Sequence, residues 1–236
     1  MNIEVLAHRL ALLSLAILVP LAGCSSVSVP AFDLARTTIS GLWRGGPTVV
    51  IPERPDPAYR YLRVDVAGRP SALMASSFVE QGALGEVEVW YSSLGEVIRT
   101  ASGRIVGTAG LETDWRAVRY STPPISWSEA EGLPSGSVAK LARSRDVMPG
   151  YRFSVLERLE LTKADQLPDG ARPVRLPKTV TWYVERTVAP TRDALPESIY
   201  AVALQEGKAV VVYSRQCLSA ALCLHLQPWP VPGTLP

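Results

Sequence analysis

From Tyr59 onward apolar and polar side chains alternate through most of this chain, and that period of two restricts the fold more than any other feature. Successive side chains of a strand point to opposite faces, so alternation marks a sheet with one face packed. Leu62, Val64 and Val66 alternate with Tyr61, Arg63 and Asp65, and Val87, Val89 and Tyr91 oppose Glu86, Glu88 and Trp90. Tyr151, Phe153, Val155, Leu159 and Leu161 oppose Arg152, Ser154, Arg158 and Glu160, with Glu157 alone out of pattern. Val180, Trp182 and Val184 oppose Thr179, Thr181, Tyr183 and Glu185. The run SALMASSFVE is more continuously apolar and predicts a strand covered on both faces.

The stretch Trp90 to Trp115, WYSSLGEVIRTASGRIVGTAGLETDW, holds the clearest hairpin signal. Ser102-Gly103 is a two-residue turn in which glycine supplies the positive φ. The register that follows sets Thr100 opposite Ile105, Arg99 opposite Val106 and Ile98 opposite Gly107, with Arg99 and Arg104 sharing a face. A second turn, Glu206-Gly207, links SIYAVAL to AVVVYS and places Tyr200 across from Tyr213. Residues 121 to 149 read as a proline-marked excursion followed by a turn or short strand. Roughly ten hairpin-linked strands exceed what a flat sheet tolerates and should curl. The expected fold is therefore all-β, a meandering antiparallel β-barrel or barrel-like sandwich, with a short N-terminal helix.

A length of 236 residues, with 17 glycines and 20 prolines, suits one turn-rich β domain over residues 47 to 236. The formal net charge of +2 gives no electrostatic bias toward nucleic acid. Residues 1 to 23 carry His8 and Arg9 ahead of an apolar run that suits a secretory signal and is short for a membrane span. That run closes in Leu21-Ala22-Gly23-Cys24, which resembles the bacterial lipoprotein signal and marks Cys24 as the lipidated residue. Several acyl chains at one cysteine would hold where a single chain is marginal, at about 0.8 kcal/mol per buried methylene. Ser25 follows where aspartate would favour inner-membrane retention, so the resemblance implies an outer-membrane anchor facing the periplasm. Within residues 24 to 46, Phe32, Ala35, Ile39, Leu42 and Trp43 recur at helical spacing and predict the short helix.

In the periplasm oxidation is the default, so Cys217 and Cys223 read first as a disulfide and second as two buried thiols. A metal site would need more ligands than the neighbouring His225 supplies, and no cofactor motif is present. His225 is the single histidine beyond the signal, and no serine or cysteine stands in a nucleophile context. Paired carboxylates for glycoside cleavage remain open among Glu86, Glu88, Glu96, Glu112 and Asp114. Glu96 and Arg99 read as a structural ion pair.

Taken together, the lipobox, the RPSALM strand, the WYS, GEVIR, GRIVGT and TDW series and the late SRQ resemble the YjbF/GfcB/YmcC family of outer-membrane lipoproteins. The resemblance implies a meandering antiparallel barrel and a part in exopolysaccharide or group 4 capsule production, with no established catalytic residues to carry over. It leaves two expectations. One is a non-catalytic lipoprotein that supports polysaccharide export or assembly by binding glycan or an export-machinery protein, with Trp90, Tyr91, Arg99, Arg104, Trp115 and Trp182 as the contact surface. The other is a polysaccharide hydrolase or lyase that uses carboxylates.

Overall fold

The structure, a computed structural model, describes residues 51, 55–134, 136–188 and 194–233. The signal segment, Cys24 and the helix expected within residues 24 to 46 lie outside the described residues. The first half of the domain contributes β1 (Arg60–Asp65), β2 (Ala72–Gly82), β3 (Gly85–Tyr91), β4 (Val97–Ala101), β5 (Arg104–Ala109) and β6 (Asp114–Tyr120). After a short helix, α1 (Trp127–Glu131), come β7 (Val138–Met148), β8 (Arg152–Ala164), β9 (Thr181–Thr187), β10 (Ser198–Gln205), β11 (Lys208–Ser219) and β12 (Leu222–Trp229).

These form one 12-stranded antiparallel sheet in the order β5-β4-β3-β2-β1-β12-β11-β10-β9-β8-β7-β6. The first strand pairs with the last, Val64 opposite Leu226, so the two halves of the meander join in the middle of the sheet. The outer strands β5 and β6 are consecutive in the chain and run side by side. Side chains bridge that seam. Thr108 Oγ1 donates to Asp114 Oδ1 at 2.9 Å and accepts from the Trp115 amide at 2.9 Å. The result is a nearly closed barrel, which leaves little free edge for pairing with another chain.

The alternation that marked the strands also sets their faces. Leu62, Val64, Met74, Trp90, Ile98 and Ile105 are all buried. On β2, Ala72 to Ser76 are buried without interruption, as the continuous apolar run predicts. Outside the barrel wall, Trp182, Ile199, Ala201 and Val212 form a separate apolar layer with Ala171, Leu176, Val180 and Val231. The loop between β8 and β9 is pinned there by hydrogen bonds from the Arg172 amide to the Tyr213 hydroxyl (2.8 Å) and from the Val174 amide to Gln227 Oε1 (3.1 Å).

Both predicted hairpins form, and both slip by one residue. Ser102 (φ 47°) and Gly103 (φ 77°) make the expected turn, with Thr100 opposite Ile105. Beyond it a bulge sets Arg99 opposite Gly107 and Ile98 opposite Thr108. Likewise Tyr200 lies opposite Ser214 and Ala201 opposite Tyr213, because Val212 is an extra residue on β11. An extra residue on one strand bends and twists it more tightly, which a closing barrel requires and a turn signal does not encode. In β8 the alternation breaks at Ser154, whose φ is 53°. Tyr151 and Phe153, expected on the packed face, are therefore 76% and 64% exposed.

Among the described residues the strands number twelve, where about ten were expected. The segment read as a turn or short strand is the 11-residue β7. It was illegible because its inward positions include Arg143 and Arg145, which look like solvent-facing residues until a partner carboxylate is known.

Candidate functional site

At one end of the barrel an open cleft of about 1420 Å³ lies between the strand ends and α1. Its walls come from the start of β1 (Arg60, Leu62), β3 (Glu88, Trp90), the β4–β5 turn (Thr100 to Arg104), the β10–β11 hairpin (Gln205, Val211) and the end of β12 (Pro228, Trp229). Pro123, Pro124 and Ile125 lead into α1 and close one side. Residues that cannot donate a backbone hydrogen bond and hold a fixed φ make a stiff rim.

Local sequence explains how α1 closes that side. Ser126 and Glu129 form a capping box at the start of α1, which turns Trp127 inward. Its Nε1 donates to the Ser102 carbonyl at 2.8 Å, and its ring lies 5.0 Å from Tyr200 and 5.4 Å from Tyr183. The β4–β5 turn is held from the opposite wall. Gln216 Nε2 donates to the Gly103 carbonyl at 2.9 Å, and Gln216 Oε1 accepts from the Ile105 amide at 2.8 Å. A Cβ on Gly103 would stand 2.6 Å from Val211 Cβ, so only glycine permits this approach.

The mouth is polar on one side. Arg60 Nη1 donates to Glu88 Oε1 at 2.7 Å, and Trp90 Nε1 donates to Thr100 Oγ1 at 2.9 Å. Burial pushes the Glu88 carboxyl above its ordinary value, with Arg60 and Thr100 pulling the other way.

Below the mouth, the interior holds Arg104, Arg143, Arg145, Glu157 and Glu185, all buried. Glu157 accepts from Arg143 Nε at 2.7 Å, Arg145 Nε at 2.8 Å and Arg145 Nη2 at 2.7 Å. Glu185 is held less tightly, 3.5 Å from Arg104 Nε and 3.6 Å from Arg143 Nη1. Aromatic faces cover the cations: Arg143 and Arg145 lie 4.9 and 4.6 Å from the Trp115 ring, and Arg104 lies 4.0 Å from Trp127. Burial raises the Glu157 carboxyl, but Arg143 and Arg145 outweigh it and hold the group below its ordinary value. Burial and Glu185 together push the Tyr200 and Tyr120 hydroxyls upward, and Tyr200 donates to Gln216 Oε1 at 3.3 Å.

The residues expected to form one contact surface do not come together. Trp90 and Arg104 line the cleft. Trp115 is 1% exposed and donates to the Leu218 carbonyl at 3.0 Å, which makes it a core residue. Trp182 is buried in the outer apolar layer. Tyr91 packs on Phe78, and Arg99 pairs with Glu80 on the barrel exterior. Glu96 does not pair with Arg99. It is buried and bonded to the Ser92 hydroxyl within its own turn.

The carboxylates considered for glycoside cleavage are held in separate contacts. Glu112 pairs with Arg69 at 2.5 Å, and Asp114 accepts from Thr108, the Gly110 amide and the Leu111 amide. Glu86 lies two residues from Glu88 on one strand face, and of these only Glu88 lines the cleft. Cys217 and Cys223 stand directly opposite on β11 and β12 and are bonded as a disulfide. Nearby, His225 Nδ1 lies 2.7 Å from the Tyr213 hydroxyl. Sequence reasoning missed the cluster of Arg143, Arg145 and Glu157. Its one signal was Glu157 breaking the alternation of β8.

Residues 55–226 match the family model of the group 4 capsule polysaccharide lipoprotein gfcB, YjbF. The chain belongs to the YjbF family. No curated protein matches it. Among solved structures it is similar to the hypothetical lipoprotein YmcC from Escherichia coli (K12), at 16% identity and a TM-score of 0.51, covering 84% of this chain and 87% of that one. At that identity the likeness is one of fold. The YjbF family is thus one of capsule polysaccharide lipoproteins, and in this member the barrel carries a cleft beside Arg104.

Proposed function

We propose that this YjbF-family lipoprotein is anchored through Cys24 in the outer membrane, faces the periplasm and supports capsule or exopolysaccharide export without catalysing a reaction, by holding a saccharide segment in the barrel-mouth cleft. The observation that carries this reading is the cleft itself. Its volume of about 1420 Å³ is larger than the usual small-molecule pocket, and it is open enough for a chain to run through. The half-buried Tyr59 and Trp229 supply ring surface for sugar C–H groups, while Arg60, Glu88 and Ser102 supply hydrogen-bonding groups for hydroxyls. Export-machinery proteins are partners on this reading, receiving the glycan that the cleft presents.

The test combines deletion of the gene, with extracellular polysaccharide measured, and titration of the purified full-length protein in detergent with polysaccharide fragments. Unchanged polysaccharide output together with no binding refutes the reading. For the anchor, Cys24→Ser should abolish incorporation of labelled palmitate and release the protein from the membrane fraction; labelled palmitate still entering that variant would overturn it.

A second reading rests on Glu88, whose half-buried carboxyl is raised and which shares the cleft with Asp56. Two carboxyl groups facing one cleft are the pair that glycoside cleavage uses. Bond cleavage that disappears in Glu88→Gln would replace binding with hydrolysis.

A further inference from the structure

Resting on the reading of the cleft as a saccharide site, we propose that Arg104 makes it selective for an acidic saccharide, by anchoring an oxyanion carried on the sugar, a uronate carboxylate or a phosphate substituent. Arg104 is 2% exposed and yet lines the cleft. Trp127 at 4.0 Å and Tyr200 at 5.3 Å, themselves 5.0 Å apart, lie on the same side of its guanidinium, whose hydrogen bonds are made in the plane through its N–H groups. Of these, Nε reaches Glu185 only at 3.5 Å, and Nη2 has no partner among the described residues. A buried guanidinium N–H without an acceptor is costly, and an oxygen entering from the cleft removes that cost.

Charge points the same way. The interior cluster sets three guanidinium groups (Arg104, Arg143, Arg145) against two carboxylates (Glu157, Glu185), which leaves one positive charge over. Glu157 is saturated by Arg143 and Arg145, so the excess falls on the Arg104 side, where Glu185 is shared at 3.5 and 3.6 Å. Buried charge is stable when paired, and one further anion completes the set. The other cation of the cleft, Arg60, is already bound to Glu88 at 2.7 Å. A buried guanidinium packed against aromatic rings is suited to oxyanions of either kind, because its planar donors lose little freedom on binding.

The experiment titrates the full-length protein in neutral detergent with oligogalacturonate, a phosphate-substituted mannan and dextran, following tryptophan fluorescence and calorimetric heat. An acidic glycan should bind about tenfold or more tightly than dextran, and the preference should shrink with added salt. The stronger of the two acidic probes identifies the oxyanion. Arg104→Gln should remove the preference, bringing the affinity for acidic glycan down to that for dextran, and Arg104→Lys should keep part of it. Should Arg104→Gln fail to fold, Arg104→Lys decides: with the charge kept and the planar donors lost, the acidic preference should fall severalfold, and an undiminished preference overturns the proposal. Equal binding of acidic and neutral glycans overturns the anion site and leaves the saccharide reading standing. Free glucuronate or inorganic phosphate binding in an Arg104-dependent way, with no polysaccharide bound, supports the oxyanion site and sinks the saccharide reading. No binding of any probe overturns both.

Discussion

Replacing Glu157 with glutamine tests whether the interior ion cluster holds this barrel together. The change keeps side-chain shape, so it opens no cavity and isolates charge. Glu157 accepts three short hydrogen bonds from Arg143 and Arg145, and its side chain is 1% exposed. Removing one partner of a buried ion pair costs about 3–5 kcal/mol, chiefly because the remaining charge stays buried and uncompensated. Glutamine keeps one accepting oxygen but turns an NH2 toward guanidinium donors, so the lower end, about 3 kcal/mol, is expected. For a domain of this size that corresponds to a melting temperature lower by about 6–12 °C.

Acid adds a second readout. Burial raises the Glu157 carboxyl, the two arginines overcome that, and its folded pKa lies below its unfolded one. Its contribution is thus fully present above the unfolded value of about 4.3 and is lost as pH falls through the folded value. Thermal and urea unfolding of the full-length protein in detergent, from pH 7 down to pH 3, measures both. The wild type should lose stability in acid more steeply than Glu157→Gln, and the two curves should converge. A loss below about 1 kcal/mol at pH 7, or parallel acid profiles, refutes the argument that this carboxylate neutralises a buried pair of cations.

Gly103→Ala should destabilise by about 2 kcal/mol and weaken any cleft ligand, since the residue has φ 77° and its new methyl would meet Val211 at 2.6 Å; a neutral melting curve refutes the close approach. Cys217→Ser should cost about 2 kcal/mol through the small loop that the disulfide closes, and thiol titration of the unreduced wild type should find neither Cys217 nor Cys223 reactive. Burial, assisted by Arg215 and opposed by Asp65, holds the His225 imidazole below its ordinary value. The unfolded chain therefore binds that proton first, and stability should fall as pH drops below about 6.5. His225→Gln should flatten that part of the profile, and an unchanged slope would show that another group is responsible.

Much of the fold was legible because alternation is local. The Ser102-Gly103 and Glu206-Gly207 turns, the doubly buried β2 and the antiparallel meander all follow from neighbours in sequence. The two bulges were not legible, since an extra residue at Val106 or Val212 answers to the curvature of the closed barrel. β7 was hidden for a related reason: Arg143 and Arg145 look solvated until Glu157 on β8 is placed beside them. The candidate site was half legible. Trp90 and Arg104 were picked out by residue type, but Trp115 and Trp182 were picked out on the same grounds and proved to be core.

By itself the sequence determined a turn-rich, antiparallel β domain and the motifs of a capsule-associated lipoprotein family, because period, turn chemistry and motif are written within a few residues of one another. Only the tertiary structure decided which charged and aromatic side chains face inward, that β1 meets β12 and that the β4–β5 turn is held against β11. Those outcomes depend on pairing between residues far apart in the chain. The identity of a partner, more than the character of the residue, decides whether an arginine such as Arg104 lies on a surface or at the floor of a cleft.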